Sequence, residues 1–427
     1  MLRRDNKSKL SRKVALASFV GTTIEWYDFY LYGIAAALVF NKIFFPKFDP
    51  IAGIMAAYAT YAVGFFARPV GGIIFGHFGD KLSRKKMLVI TLTLMGIATC
   101  FIGLLPTYNH IGIYAPILLV LLRCIQGIGV GGEWGGAVVM AAEHSRDKER
   151  GFYSSWPNAG APFGLLISIL IFIAFSSLPP NQFMTWGWRI PFLLSIVLVI
   201  MGLFIRLNII DSSTFVTTEK KKSAIPLLEL VRTSTKNIIL VMGARFAEST
   251  SFYIFTVFVL SYSTSQLGLS KNTILCAVLV ASVLEVFTIP FFGHASDHFG
   301  RRPIYLLGAF TVGLFAFPFF WLLQTKQLSL IYYAVIFGLC IGHAAMHGAQ
   351  AAFFSELFKT RVRYSGTGIT YHLAAAFSGG LAPLIATGLV AWTGKSWPVS
   401  IYIIIMVIIT IVCIYLLKET HQKDISS

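Results

Sequence analysis

The sequence predicts an all-α polytopic membrane protein, with twelve transmembrane helices in two six-helix bundles. Three observations predict it. Apolar types make up 56% of the 427 residues and charged types only 12%, against about 25% charged in a soluble domain, so the charges are too few to coat a water-facing surface. The apolar residues fall in runs long enough to cross a bilayer, at roughly 20 residues per span. The basic residues behind the formal net charge of +17 sit in short clusters between those runs. That is the pattern of membrane topology rather than of a nucleic-acid-binding face, so no nucleic acid partner is expected.

The elements follow in order. Arg3, Arg4, Lys7, Lys9, Arg12 and Lys13 precede an apolar run that continues to about Phe40. The run contains Glu25 and Asp28 and no convincing cleavage site, so it reads as a retained first span rather than a signal peptide. Further spans are predicted near 51–77, 87–105, 113–141, 152–177 and 190–206. A polar stretch with Lys220, Lys221 and Lys222 follows, and then spans near 237–263, 272–295, 303–323, 329–355, 366–391 and 398–417. The predicted organisation is an amino-terminal bundle over 1–206, a cytoplasmic linker over 207–236 and a carboxy-terminal bundle over 237–427. With both termini inside, 26 basic residues fall in tails and inside loops and 6 outside. The positive-inside rule therefore predicts cytoplasmic termini, and the basic loops attract anionic lipid. Cys100, Cys124, Cys276, Cys340 and Cys413 all fall inside apolar runs with no metal-ligand spacing and read as packing residues.

An internal repeat organises the loops. Gly76, Asp80, Ser83 and Arg84 match Gly293, Asp297, Gly300 and Arg301 in a G-x-x-x-D-x-x-[GS]-R pattern, 217 residues apart. Glu143 precedes Arg150 by seven residues, as Glu356 precedes Arg363, at an offset of 213. Two motifs at nearly one offset mark a duplicated six-span half, an architecture that puts a substrate site between the halves near the bilayer midplane. In the loop, Gly permits close helix approach. Asp can accept hydrogen bonds from a neighbouring helix amino terminus, and Arg can pair with that Asp or with phospholipid. These positions, Gly76, Asp80, Arg84, Gly293, Asp297, Gly300, Arg301, Glu143, Arg150, Glu356 and Arg363, are the candidate cytoplasmic gate.

This layout resembles the major facilitator superfamily, and more narrowly its metabolite:proton symporter branch, along nearly the whole chain. The carrying segments are Glu25-Trp26-Tyr27-Asp28-Phe29, Arg68-Pro69-Val70-Gly71-Gly72, Arg123-Cys124-Ile125-Gln126-Gly127, Gly131-Gly132-Glu133-Trp134-Gly135-Gly136, Trp186-Gly187-Trp188-Arg189-Ile190-Pro191-Phe192 and Arg363-Tyr364-Ser365-Gly366. Ala37-Leu38-Val39-Phe40-Asn41 and Phe75-Gly76-His77-Phe78-Gly79-Asp80 are similar to shikimate-type transporters. Ser83 departs from the family by replacing the usual Gly of the first loop.

A charge at the bilayer centre costs about 2.5–3.5 kcal/mol on insertion scales, so polar residues within spans are functional candidates. Glu25 and Asp28 lie three apart and share a helix face. Two carboxylates in one cavity repel, and one should hold a proton; neutralising an Arg is the plainer role. Arg68 can bind a carboxylate bidentately, whether Glu25, Asp28 or a substrate. Arg123, Gln126 and Glu133 share a face, and the resemblance links such positions to proton movement or substrate binding. Proton coupling is accordingly expected at Glu25, Asp28, Arg123 and Glu133. Substrate binding is expected at Arg68, Gln126, Arg245, Glu248, Glu285, His343, His347 and Tyr371. Arg245 and Glu248 could instead be an intrahelical pair. His343 and His347, four apart, lack a neighbouring Cys or an H-E-x-x-H pattern, so no metal is expected. His372 reads as a helix-contact hydrogen bonder.

The expected function is secondary active transport of a small organic acid with protons, by alternating access. The alternative is uptake of a zwitterionic osmolyte such as proline or betaine. A membrane enzyme or receptor would need a catalytic dyad, metal ligands, a nucleotide motif or a soluble ligand domain, and none is found. The chain is expected to be a monomer in the bacterial inner membrane, with no cofactor.

Overall fold

The computed structural model describes residues 2–81, 84–131, 134–145, 147–209, 226–359 and 362–421. Within these residues the chain is almost entirely helical, with short turns between helices, and has no strand. The helices are α1 (Leu2–Ala35), α2 (Pro50–Lys81), α3 (Arg84–Leu104) and α4 (Tyr114–Val130, resumed as Trp134–His144). They continue as α5 (Arg150–Ser176), α6 (Pro180–Phe204), α7 (Ser234–Ser265) and α8 (Lys271–Phe299). The last four are α9 (Arg301–Gln324), α10 (Leu328–Glu356), α11 (Arg363–Thr393) and α12 (Trp397–Leu416). Ten helices among the described residues are long and apolar enough to cross a membrane. At 1.5 Å per residue, the 29 residues of α8 give roughly 44 Å, ample for a tilted crossing of a ~30 Å hydrocarbon core. Large apolar side chains such as Leu314 and Trp392 are more than 80% exposed. Such a belt suits contact with lipid, because helices satisfy their own backbone groups.

The predicted linker differs. A helix occupies Pro226–Ala244, kinked at Ser234, whose φ is −136°. It therefore covers the last third of the stretch read as linker. Residues 210–225, with the three lysines, lie outside the described residues. The first helix also begins further back than an apolar run would, at Leu2, because backbone hydrogen bonding tolerates the basic residues that hydropathy excludes.

Among the described residues, five π-helical segments interrupt the helices: Ala36–Phe40, Phe183–Gly187, Ile254–Phe258, Gly338–His343 and Ala376–Gly380. The first and third extend or interrupt α1 and α7 at an offset of 218 residues, close to the repeat read from the loops. π segments widen a helix locally and commonly mark functional sites. Close crossings fix α2 against α4. A Cβ on Gly127 would stand 2.2 Å from the Gly64 carbonyl oxygen, and one on Gly131 would stand 1.9 Å from that of Arg68. Only residues without a side chain fit there.

Candidate functional site

The helices meet around a small, tightly lined cavity. Trp26 and Tyr30 of α1 and Ala161 of α5 wall one side; Arg245, Glu248, Phe252 and Tyr253 of α7, His343 and His347 of α10 and Tyr371 of α11 wall the other. Both repeat halves therefore contribute. Tyr371 stacks on Trp134 with ring centroids 3.4 Å apart and lies under the Arg245 guanidinium, 3.3 Å from its centroid. Arg245 also donates to the Tyr371 carbonyl at 2.6 Å.

The carboxy-terminal wall is a chain of paired groups. Arg245 Nε lies 3.2 Å from Glu248 Oε2, so the intrahelical pair is present. The other Glu248 oxygen faces His343 Nε2 at 3.2 Å and His347 Nδ1 at 3.0 Å. His343 Nδ1 is hydrogen-bonded to Glu285. Gln350 donates to Glu248 at 3.2 Å and reaches the Tyr305 hydroxyl at 3.3 Å. Arg245 thus bonds Glu248, and His343 takes Glu285.

The amino-terminal wall holds two arginines. Arg68 and Arg123 are both fully buried, and they flank one ring: Arg68 lies 3.9 Å and Arg123 4.0 Å from the Phe29 centroid. Trp26 and Phe65 complete the aromatic surround of Arg68; Tyr32 and Tyr61 complete that of Arg123. Arg123 bonds Gln126, Gln126 donates to Thr99 at 2.8 Å, and Asp28 lies beside Thr99 and Arg123. Glu25 is buried on the same helix. The Arg68 nitrogens have no hydrogen-bond partner among the described residues. Both ring nitrogens of buried His372 are likewise unpartnered there. It lies within electrostatic reach of Arg68 and Arg245, so the helix-contact role read from sequence is not what the structure shows.

The end of the bundle carrying both chain termini is closed by charges. Arg150 bonds Glu356 at 3.1 Å and Arg363 bonds Glu143 at 3.1 Å, each pair joining the two halves. Asp297 accepts from the backbone N–H groups of Gly151 and Phe152 at 2.7 and 2.9 Å, the open amino terminus of α5, and pairs with Arg301 at 2.8 Å. Gly293 makes this approach possible: a Cβ there would meet the Gly151 oxygen at 2.8 Å. Gly300 sits at φ 99°, a conformation that favours glycine. Arg301 reaches Glu356 at 3.2 Å. Thr420, just beyond α12, donates to Glu356 at 2.6 Å. Of the other sequence candidates, Glu133 and Ser83, with the Gly76–Asp80–Arg84 side-chain geometry, lie outside the described residues. The opposite end closes more lightly, through Tyr58 donating to Ser261 at 2.8 Å and Lys271 donating to the Ser176 carbonyl at 3.0 Å.

A polytopic helical bundle with a polar cavity between duplicated halves, closed at both ends, is the construction of a membrane transporter. The family model of the Major Facilitator Superfamily matches residues 18–383 and 241–427, and the chain belongs to that family. It is 42% identical over 418 residues to the shikimate transporter of Escherichia coli (strain K12), covering 96% of this chain and 95% of that one. The inner membrane metabolite transport protein YhjE of the same organism is 40% identical over 424 residues, covering 97% and 95%. Its proline/betaine transporter is 31% identical over 426 residues, covering 97% and 85%. The fold matches the solved proton:xylose symporter XylE bound to 6-bromo-6-deoxy-D-glucose with a TM-score of 0.72 at 17% identity, over 98% of each chain. The chain is thus a metabolite transporter of this superfamily and not an enzyme.

Proposed function

We propose that the chain is a proton-coupled symporter of a small organic acid, working by alternating access between halves 1–206 and 237–427. The observation that carries this reading is Arg68: a fully buried guanidinium with no hydrogen-bond partner among the described residues, stacked on cavity-lining Trp26. A desolvated cation of this kind is costly unless an anion meets it, and a carboxylate fits its fork bidentately. Arg245 on the opposite wall supplies a second cation. Asp28, beside Arg123, is the proton carrier in this reading, with Gln126 holding the guanidinium in place. The charged closure at the termini-bearing end is the cytoplasmic gate, the orientation that the positive-inside rule favours. The shikimate transporter relative supports a hydroxylated carboxylate as substrate, and the location is the bacterial inner membrane.

A specific observation favours a second reading, zwitterionic osmolyte uptake. The cavity wall carries Trp26, Tyr30, Phe252, Tyr253 and Tyr371, and an aromatic cage suits a quaternary ammonium, as the name of the proline/betaine relative suggests. Counterflow in proteoliposomes with shikimate, 2-oxoglutarate, citrate, betaine and proline decides between them. Organic-acid exchange that is lost in Arg68→Lys, with accumulation abolished by a protonophore, supports the first reading. Exchange of betaine or proline alone would replace it.

A further inference from the structure

We infer that Glu248, His343 and His347 form a binding site for one zinc-class divalent cation on the cavity wall. The inference rests on cavity geometry and is independent of the transport reading. The three side chains come from two helices, α7 and α10, and their ligand atoms lie within 4.8 Å of one another. Glu248 Oε1 is 3.2 Å from His343 Nε2 and 3.0 Å from His347 Nδ1. Ligands at about 2.0–2.1 Å around a tetrahedral zinc stand roughly 3.4 Å apart, so the two Glu248 contacts need a few tenths of an ångström of outward movement, and the imidazole nitrogens, within 4.8 Å of each other, settle toward the same spacing around the ion.

The groups behind the ligands are already those of a metal site. His343 presents Nε2 to the cluster because its Nδ1 is bonded to Glu285. A carboxylate behind a ligating imidazole fixes the tautomer and raises its basicity. Glu248 is held through its second oxygen by Gln350 at 3.2 Å and by Arg245 at 3.2 Å. His347 Nδ1 has no hydrogen-bond partner of good geometry although the residue is 97% buried. Charge favours a cation as well: Glu248 and Glu285 outnumber Arg245, their nearest cation. The fourth ligand position faces the cavity shared with Trp26 and Tyr30, so water or a substrate carboxylate can complete the tetrahedron. Two imidazoles and one carboxylate suit zinc, cobalt or nickel and not the hard ions magnesium and calcium.

The test uses the purified full-length chain in detergent, with no histidine tag. The parent carries His294→Gln and His298→Gln, which remove the exposed imidazole pair with ring centroids 4.5 Å apart. Calorimetric titration with Zn2+ should give one site per chain, and Co2+ should give the intense visible bands of tetrahedral coordination. His347→Gln should weaken Zn2+ binding at least a hundredfold. Glu285→Gln, which keeps all three ligands, should weaken it about 10–100-fold and serves as the check if a ligand variant misfolds. No saturable Zn2+ binding, an octahedral Co2+ spectrum, or binding unchanged in folded His347→Gln and Glu285→Gln would each overturn the site. Uptake does not enter the readout, so failure here leaves the transport reading standing, and failure of counterflow leaves the metal site standing.

Discussion

Replacing Glu356 with Gln should release the charged closure of the transporter. Glu356 is fully buried and accepts from Arg150 Nη1 at 3.1 Å, Arg301 Nε at 3.3 Å, Arg301 Nη2 at 3.2 Å and Thr420 Oγ1 at 2.6 Å. Gln keeps one acceptor oxygen and turns a second donor group toward these donors. Breaking a buried ion pair costs about 3–5 kcal/mol. Not all of that alters the conformational balance. Of the four bonds, those from Arg301 and Thr420 lie within the carboxy-terminal half and persist whether the gate is open or closed. The Arg150 bond crosses between halves and exists only when it is closed. A hydrogen bond to a charged group is worth about 1.5–3 kcal/mol, so the open form should gain roughly ten- to a hundredfold. Spin labels at exposed Lys148 and Lys359, in a background with the five cysteines replaced, report the separation by pulsed electron resonance. The variant should show a longer-distance population that the parent lacks. A folded Glu356→Gln protein whose distances superimpose on the parent's would refute the reasoning.

Other outcomes follow from particular contacts. Gly127→Ala places a methyl 2.2 Å from the Gly64 carbonyl oxygen, so α2 and α4 must separate at a cost of about 1–3 kcal/mol, read as a lower Tm; an unchanged Tm would deny the close crossing. Phe29→Leu removes the ring between Arg68 and Arg123. With buried cation–π contacts worth up to about 2 kcal/mol each, uptake should fall at least tenfold, and Phe29→Tyr should recover most of it. Glu419 lies beyond the last span. Burial pushes its carboxyl up, but the backbone N–H groups of Arg302, Thr420, Arg301 and His421 outweigh burial and hold it below its ordinary value. A depressed carboxyl contributes stability above its unfolded value, about 4.3, and loses it as pH falls through the folded value. Thermal stability should therefore drop on acidification below about pH 4, and Glu419→Gln should flatten that part of the profile.

Hydropathy made the spans legible because lipid sets both their length and their composition, and the Gly–Asp–Arg loops made the duplication legible because turns constrain residue type. The pairings were less legible. Arg150 meets Glu356 across 206 residues, and His343 meets Glu248 across 95. Helical spacing reports which residues share a face but not which face of another helix arrives. The spacing of His343 and His347 alone did not show that Glu248 of α7 stands 3.2 and 3.0 Å from them, for that reason. The π segments carry no period of their own, since one extra residue per turn leaves composition unchanged. The helix at Pro226–Ala244 was read partly as linker because its charges outweigh hydropathy, although they do not forbid helix.

The buried charges give a physical reason for moving cations together with an anion. Away from the charged closure, and among the described residues, Glu25 and Asp28 balance Arg68 and Arg123 in the first half, while Glu248 and Glu285 exceed Arg245 by one in the second. Net charge in a low-dielectric interior is costly, so the second half favours a cation: a proton on the His343 cluster, or a divalent ion in its place. A monoanion at Arg68 would add another negative charge to the closed cavity, which a further proton, placed on Asp28, would cancel. Loading an anion without a cation would leave the occluded form with two uncompensated negatives, and that form must be crossed in every cycle. In the proposed symport, coupling then needs no separate device. It follows from where three arginines and four carboxylates are buried away from the charged closure, and from a closure that keeps water from screening them.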